Sequence, residues 1–404
     1  MTTGKALLFA LALLTAQAPG ALAAGPQDAV GRFAVHADTA MPARTISFGQ
    51  VFLPGTVRRE EALQVLLDGK PTATQVDPKA FNADGSVRHA VMTIELPKMG
   101  SGQAFDATIV KGTAGAPAPA PMPNAAAVPA LEVSLAIKGQ NNAVQNVTVN
   151  LPAIAANPQN AVPGSWINGP LAQERRYRTD VNNRLQILFD VFVPKNGPAR
   201  VDVIFHNDWT GIRNEDNVDY DVEMRLAGAP VFQARGVHQY TFSTWHHLIW
   251  TDGKPSVRVV ADLATLGEAA AVPRYQTDFA IAREIASKAV DAGNDVSDKP
   301  MQSGMIDHHM PDAGGRWDIG PLPTWAVIDL MKSNEATRKL LMANADAAGA
   351  VPWHLRDRKT GLPLTIDAHP GTWLDSRGEG TVKEGVLPEV FQGENHGWTL
   401  DDAH

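Results

Sequence analysis

Two hydrophobic periods divide this chain. Between residues 44 and 111 short apolar runs are broken by Asp68-Gly69 and Asp84-Gly85, as in tight turns between antiparallel strands. After the second turn Ala90, Met92, Ile94 and Leu96 alternate with His89, Val91, Thr93 and Glu95, which predicts a strand with one buried face. His89 falls on the less apolar face and reads as a surface residue. Residues 131–151 and 184–208 also read as strands, and Asn196-Gly197 marks a hairpin within the second stretch. Apolar residues there occupy both parities: Leu185, Ile187, Phe189 and Val191, but also Leu188 and Phe192. That predicts a strand covered on both faces, central in a sandwich. Residues 220–226, 240–250 and 257–263 continue the β-rich text. Beyond residue 263 the period becomes helical. Ser333 as cap, Glu335 in the first turn and Gly349 as stop predict a helix whose stripe is Leu340, Leu341, Ala345 and Ala348. A shorter helix capped by Thr324, carrying Trp325, Ile328 and Met331, precedes it, and the two predict an αα-hairpin.

The expected fold class is therefore multidomain β plus α. An N-terminal β domain occupies residues 30–111, and an uncharged Ala/Pro-rich linker or long loop occupies 112–129. A second, sandwich-like antiparallel region covers 130–262, and a helical domain covers 263–404. Residues 1–24 carry Lys5, an apolar stretch and Ala21-Leu22-Ala23, the pattern of a secretory signal, so a periplasmic or secreted protein is expected. That stretch is too short to span a bilayer comfortably and no later one is longer, so no transmembrane segment is expected in the mature chain.

Cysteine is absent, which excludes disulfides, a thiol nucleophile and thiolate metal sites. The formal charge is −8, and loss of Lys5 with the leader makes it more negative, which argues against nucleic-acid or anionic-membrane binding. An acidic polysaccharide stays open as a partner, because a local arginine cluster can dominate a cleft. Arg175, Arg176 and Arg178 form such a cluster, which reads more simply as a solvated loop. No G-x-S-x-G elbow, phosphate loop, dinucleotide fingerprint or H-E-x-x-H is present. His308 and His309 are adjacent and point in different directions, against a shared metal. The acidic run over residues 214–221 offers oxygen ligands to calcium but lacks the glycine and distal glutamate of an EF-hand loop, and a solvated loop is the simpler reading. No cofactor is expected, with calcium a weak exception.

Half of the twelve histidines and five of the nine tryptophans fall in the last hundred residues. Indoles stack on sugar rings, while imidazole, carboxylate and guanidinium move protons and hold hydroxyls or carboxylates. The candidate bases are His308, His309, His354, His369, His396 and His404. Arg316, Arg356 and Arg377 are candidate carboxylate binders, Asp318 and Asp375 candidate acids, and Trp317, Trp373 and Trp398 candidate stacking platforms. Each taken alone also fits a polar, aromatic loop layer over a helical core. Two reactions use these residue types on acidic glycans. β-Elimination needs a base for the proton α to a uronate carboxylate and a cation for that carboxylate. Hydrolysis needs two carboxyl groups flanking the glycosidic oxygen.

The text ISFGQVFLPGTV (46–57) and VDPKAFNADGSVRHAVMTIELP (76–97) resembles the N-terminal RIFT-barrel domain of the exo-rhamnogalacturonan lyase and YetA-like family. DIGPLPTWAVIDLM (318–331), ANADAAGAVPWHLRD (343–357) and IDAHP (366–370) resemble the start of the helical catalytic part of its bacterial members. The resemblance implies a β-barrel, further β structure and an α/α toroid, with secreted polysaccharide lyases among the relatives. A toroid needs more helical pairs than follow residue 300, so the helical domain is expected to be incomplete, with part of the machinery beyond His404. The family's catalytic residues do not transfer one by one, and the site residues above rest on chemistry. The expected function is an exported lyase acting on a uronate-containing glycan. The alternatives are a non-catalytic carbohydrate-binding or envelope protein, and a glycoside hydrolase with paired carboxylates.

Overall fold

The structure is a computed structural model that describes residues 29–112, 128–139, 143–210, 217–253, 256–276, 287, 290–291, 299–306, 317–351, 354–357, 360–365 and 367. The segment read as a secretory signal and most of the expected linker lie outside these residues. The described chain is mostly antiparallel β-sheet with a small helical part.

The first unit contains β1 (Ala29–Ala37), β2 (Arg44–Val51), β3 (Leu63–Leu67), β4 (Lys70–Thr72), β5 (Thr74–Phe81), β6 (Val87–Leu96) and β7 (Ala104–Lys111). The second contains β8 (Leu131–Lys138), β9 (Val144–Asn150), α1 (Leu151–Ala156), β10 (Ile167–Asn168), β11 (Ala172–Asp180), β12 (Gln186–Pro194), β13 (Arg200–Asn207), β14 (Trp209–Thr210), β15 (Val218–Leu226), β16 (Ala229–Gln239) and β17 (Ser243–Trp250). β18 (Val257–Ala261) then returns to the first unit and pairs with β1, Val259 opposite Val35. The boundary drawn at residue 262 thus leaves one strand of the N-terminal sheet in the second region, because strand patterning carries no information on which sheet a strand joins. α2 (Leu263–Glu268), α3 (Thr324–Met331), α4 (Glu335–Ala347) and β19 (Arg356–Asp357) follow.

In the first unit a sheet of order β18-β1-β7-β3-β4 and a sheet of order β2-β6-β5 share one apolar core. Phe33, Val35, Val65 and Ile109 enter it from the larger sheet, Met92 and Ile94 from the smaller. Asp68 and Gly69 join β3 to β4 with φ of 45° and 76°, the left-handed pair that a two-residue hairpin with the right twist requires. On β6 the expected face is buried, but Val91 and Thr93 are buried as well. The second unit covers Val91, which clusters with Ile167, Ala172 and Phe192, and Thr93 bonds Ser47 of the neighbouring strand. His89 is half-buried rather than a surface residue, its ring set against Gly49, where a Cβ would come within 2.9 Å of Nε2.

The second unit packs a sheet of order β16-β15-β8-β9 on one of order β10-β11-β12-β13-β17. β12 lies in the middle of its sheet, as its two-sided apolar pattern predicts. At the core centre Phe205 stacks on Trp245, with centroids 4.2 Å apart. The buried Tyr220 hydroxyl accepts from Trp245 Nε1 (2.5 Å) and donates to Gln239 Oε1 (2.7 Å), so no polar atom of that trio is stranded. Gln75 ties the two units together: its Oε1 accepts from the Leu171 and Ala172 amides and its Nε2 donates to the Ala172 carbonyl.

α3 and α4 form the expected hairpin around Trp325, Ile328 and Leu340. Its details differ from expectation. The cap of α4 is Asn334, in a reciprocal capping box with Thr337, and Ser333 is not the cap. Thr324 opens α3 from within, behind Pro323, and makes no cap. The buried stripe of α4 is Thr337, Leu340, Asn344 and Ala347, while Ala345 and Ala348 are exposed. Buried polar residues cause the shift, since Asn344 Oδ1 accepts from the Met305 amide (2.7 Å) and apolar periodicity cannot register such a contact. Gly349 sits in a short 3-10 turn after α4, where a Cβ would come within 2.5 Å of Thr244 Oγ1. Its role is close approach of the hairpin to β17. Among the described residues no helix is long and apolar enough to cross a membrane.

Candidate active site

Strand alternation gives the sheet containing β12 two different faces. Ile187, Phe189, Val203 and Phe205 point into the sandwich core. The opposite parity carries Glu174, Arg176, Arg178 and Asp180 on β11, Gln186 and Asp190 on β12, Arg200, Asp202 and His206 on β13, and His246 on β17. The arginine triplet is therefore on a strand, not in the solvated loop that its charge suggests. Cross-strand register pairs opposite charges. Arg176 forks onto Asp190 at 2.7 and 2.6 Å, and Arg200 reaches Glu174 at 2.7 Å. His246 lies between Asp202 (Nδ1, 2.7 Å) and Asp346 of α4 (Nε2, 3.4 Å). Burial alone would lower the pKa of this imidazole, but the two carboxylates outweigh it and push it up to about 10. His246 is thus an imidazolium at neutral pH, a link between sheet and helix rather than a base.

The end of this face near residue 206 has a different character. β14 and β19 pair in parallel there, Trp209 opposite Arg356, which brings the C-terminal segment over the sheet. Arg356 is 9% exposed. Its Nε and Nη2 donate to Asp208 Oδ1 (3.1 and 2.7 Å), its Nη1 donates to Gln186 Oε1 (3.1 Å), and its guanidinium lies 4.1 Å from the Trp209 ring centroid. Gln186 in turn donates to Asp180 Oδ1 (2.7 Å). The other oxygen of Asp208 bonds Nδ1 of His206 at 2.8 Å. Burial alone would raise the Asp208 carboxyl, yet His206 and Arg356 hold it below the usual carboxylate range. For His206 burial wins over the Asp208 bond and its pKa is lowered, with Arg356 and Arg176 adding in the same direction. At neutral pH His206 is uncharged, its proton is on Nδ1 facing Asp208, and Nε2 carries a lone pair. That Nε2 is buried and has no hydrogen-bond partner among the described residues. His354 shares this property at its own Nε2, and its amide bonds the Phe242 carbonyl at 2.9 Å. Two buried imidazole nitrogens without partners among the described residues, at one end of a sheet, call for a functional explanation. Arg178, exposed on the same face, has no ion pair among the described residues and lies near Gly361 of the returning segment.

An oriented neutral imidazole with a buried carboxylate behind it can take up a proton, and the imidazolium so formed is stabilised by that carboxylate. Among the described residues no group of three or more His, Asp or Glu is placed to hold a metal ion. Asp219 and Asp221 of the acidic run lie on β15, paired with His238 and Arg235, so that half of the run is strand and not loop.

Of the residues singled out in the sequence, His354 and Arg356 come together at this end. Arg356 does not stand open as a carboxylate binder, since Asp208 and Gln186 take its donors. Trp317 packs partly buried against the helical hairpin, with Asp318 beside it. His308, His309, Arg316, His369, Trp373, Asp375, Arg377, His396, Trp398 and His404 lie outside the described residues. His206, Asp208, Gln186 and Arg178 escape a search focused on the C-terminal cluster. The run His206-Asn207-Asp208-Trp209 does hold a signal, because residues two apart on a strand share a face. No family model matches the chain, and no curated protein matches it.

Proposed function

We propose that this is an exported polysaccharide lyase that acts on a uronate-containing glycan by β-elimination, with His206 as its base. The observation that carries the proposal is the neutral His206, oriented by Asp208 from behind, whose buried Nε2 has no hydrogen-bond partner among the described residues. Nε2 takes the proton α to the uronate carboxylate, and the C–H electrons form the new C=C bond. The glycosidic C–O bond breaks, and the departing oxygen takes up a proton, which the imidazolium can return. Arg178 supplies the cation for the substrate carboxylate, and Arg356 holds Asp208 in place. In this reading the first unit is the RIFT-type barrel of the family that the sequence resembles, and the α3–α4 hairpin opens its α/α toroid.

The test is incubation with polygalacturonate and rhamnogalacturonan, following ultraviolet absorbance of unsaturated uronate ends. His206→Gln and Arg178→Gln are expected to lower that rate, His206→Gln by about 10²–10⁴-fold. Because burial lowers the His206 pKa, the acidic limb of the rate profile is expected below the ordinary imidazole range. Reducing ends without unsaturated product would move the assignment to a hydrolase, and full activity of His206→Gln would remove His206 from it. A non-catalytic glycan-binding reading draws on a separate feature. Trp166 is 56% exposed, with the Lys79 ammonium over its ring, a ready sugar platform. Binding without turnover of either glycan would favour it.

A further inference from the structure

A concavity lies away from His206, where the two β units meet the helical hairpin. It is a cleft of about 830 Å³ between β17, β18 and α4, within the size range of small-molecule sites. Arg258 of β18 and Arg338 of α4 both line it, and both donate to one atom, Ser333 Oγ, at 3.2 and 3.5 Å. Like charges converging on one hydroxyl repel unless each is held, and here each is. Arg258 Nε bonds both oxygens of Asp38 (2.9 and 3.0 Å), and Arg338 Nε bonds Asp329 (2.8 Å). Among the described residues Arg258 Nη2 and Arg338 Nη1 have no acceptor. They are donors fixed in position and open to a further acceptor.

The remaining walls add to the same preference. Lys339 is exposed and makes no ion pair among the described residues, and His246 is an imidazolium. Trp250 lines the cleft, and its buried indole N–H has no acceptor among the described residues. Against these stand the acids Asp38, Glu335 and Asp346, of which Asp38 is engaged with Arg258 and Asp346 with His246. Trp250 and the exposed side chain of Met342 supply apolar surface. An excess of fixed donors beside an aromatic wall recognises an acceptor-rich ring that carries an anion.

We propose that this cleft is a second ligand site, separate from His206, and that it takes a carboxylate-bearing sugar. The inference stands on the cleft itself and does not require His206 to be a base. The full chain would be titrated with galacturonate by calorimetry and by tryptophan fluorescence, with galactose and inorganic phosphate as the neutral ring and the ringless anion. Galacturonate is expected to bind saturably and to change the tryptophan emission. Lys339→Gln, an exposed change that preserves the fold, and Trp250→Phe are each expected to weaken it about 10-fold, the scale of one hydrogen bond to a charged group. His206→Gln is expected to leave this binding unchanged while altering turnover, which separates the two sites. Absence of saturable binding, equal binding of galactose, equal binding of phosphate, or unchanged affinity in both cleft variants would each overturn the proposal.

Discussion

The two β units use the same antiparallel architecture for different ends. The first turns both of its sheets toward an apolar core, and its buried polar side chains serve the sheet and the junction: Thr93 bonds Ser47, and Gln75 caps amides of the second unit. The second buries an aromatic core with a satisfied polar centre at Tyr220, and its long sheet carries a charged lattice on the opposite face. What separates them is cover. The helical hairpin and the returning β19 segment lie over the lattice, so charges that water would otherwise screen are partly desolvated and matched to one another. A polar face alone makes a surface, whereas a covered one can shift a pKa.

The comparison breaks most visibly at Arg356. Arg356→Met leaves Asp208 buried with one partner fewer and is expected to cost about 3–5 kcal/mol in urea unfolding. A loss below about 1 kcal/mol would mean that this end of the lattice is solvated like ordinary surface. The two cores differ next. Tyr220→Phe strands the Trp245 indole N–H and is expected to cost about 1–3 kcal/mol, while Met92→Leu in the first core should cost under about 1.5 kcal/mol. Thermal melts of both variants read this directly, and a reversed order would refute the contrast.

A smaller effect concerns cover itself. His246 titrates near 10 when folded against 6.5 as a free imidazole, so its contribution is complete below pH 6.5 and is lost as pH rises through about 10. Because Asp346 is half exposed, the loss is discounted to about 1–2 kcal/mol. The stability of the wild type is expected to fall as pH rises from 6.5 to about 10, and His246→Gln should flatten that slope. The smallest change is expected at Arg176→Ala. Its pair with Asp190 is bidentate but nearly half exposed, so chemical denaturation should register about 1 kcal/mol or less.

Much of the fold is legible from patterning. The hairpin turns at Asp68-Gly69 and Asn196-Gly197, the central position of β12 and the α3–α4 hairpin follow from turn chemistry and periods of two and 3.6. Failures occur where a residue answers to something distant in sequence. Val91 is buried by the second unit, β18 crosses back to β1, and Asn344 is buried to meet Met305. For the site, the sequence points to His354 and Arg356 through their density of chemistry. It does not point to their partners, which lie about 150 residues earlier in the chain.

By itself, then, the sequence determined the elements: where strands turn, which strand is central, which helices pair, and that no thiol chemistry is available. Those properties depend on neighbours within a few residues, and local backbone and side-chain preferences encode them. Only the tertiary structure decided that Asp208 stands between His206 and Arg356, that His246 is charged while His206 is neutral, and that two arginines converge on Ser333. Protonation and desolvation are set by what covers a group, and cover comes from segments far apart in the chain.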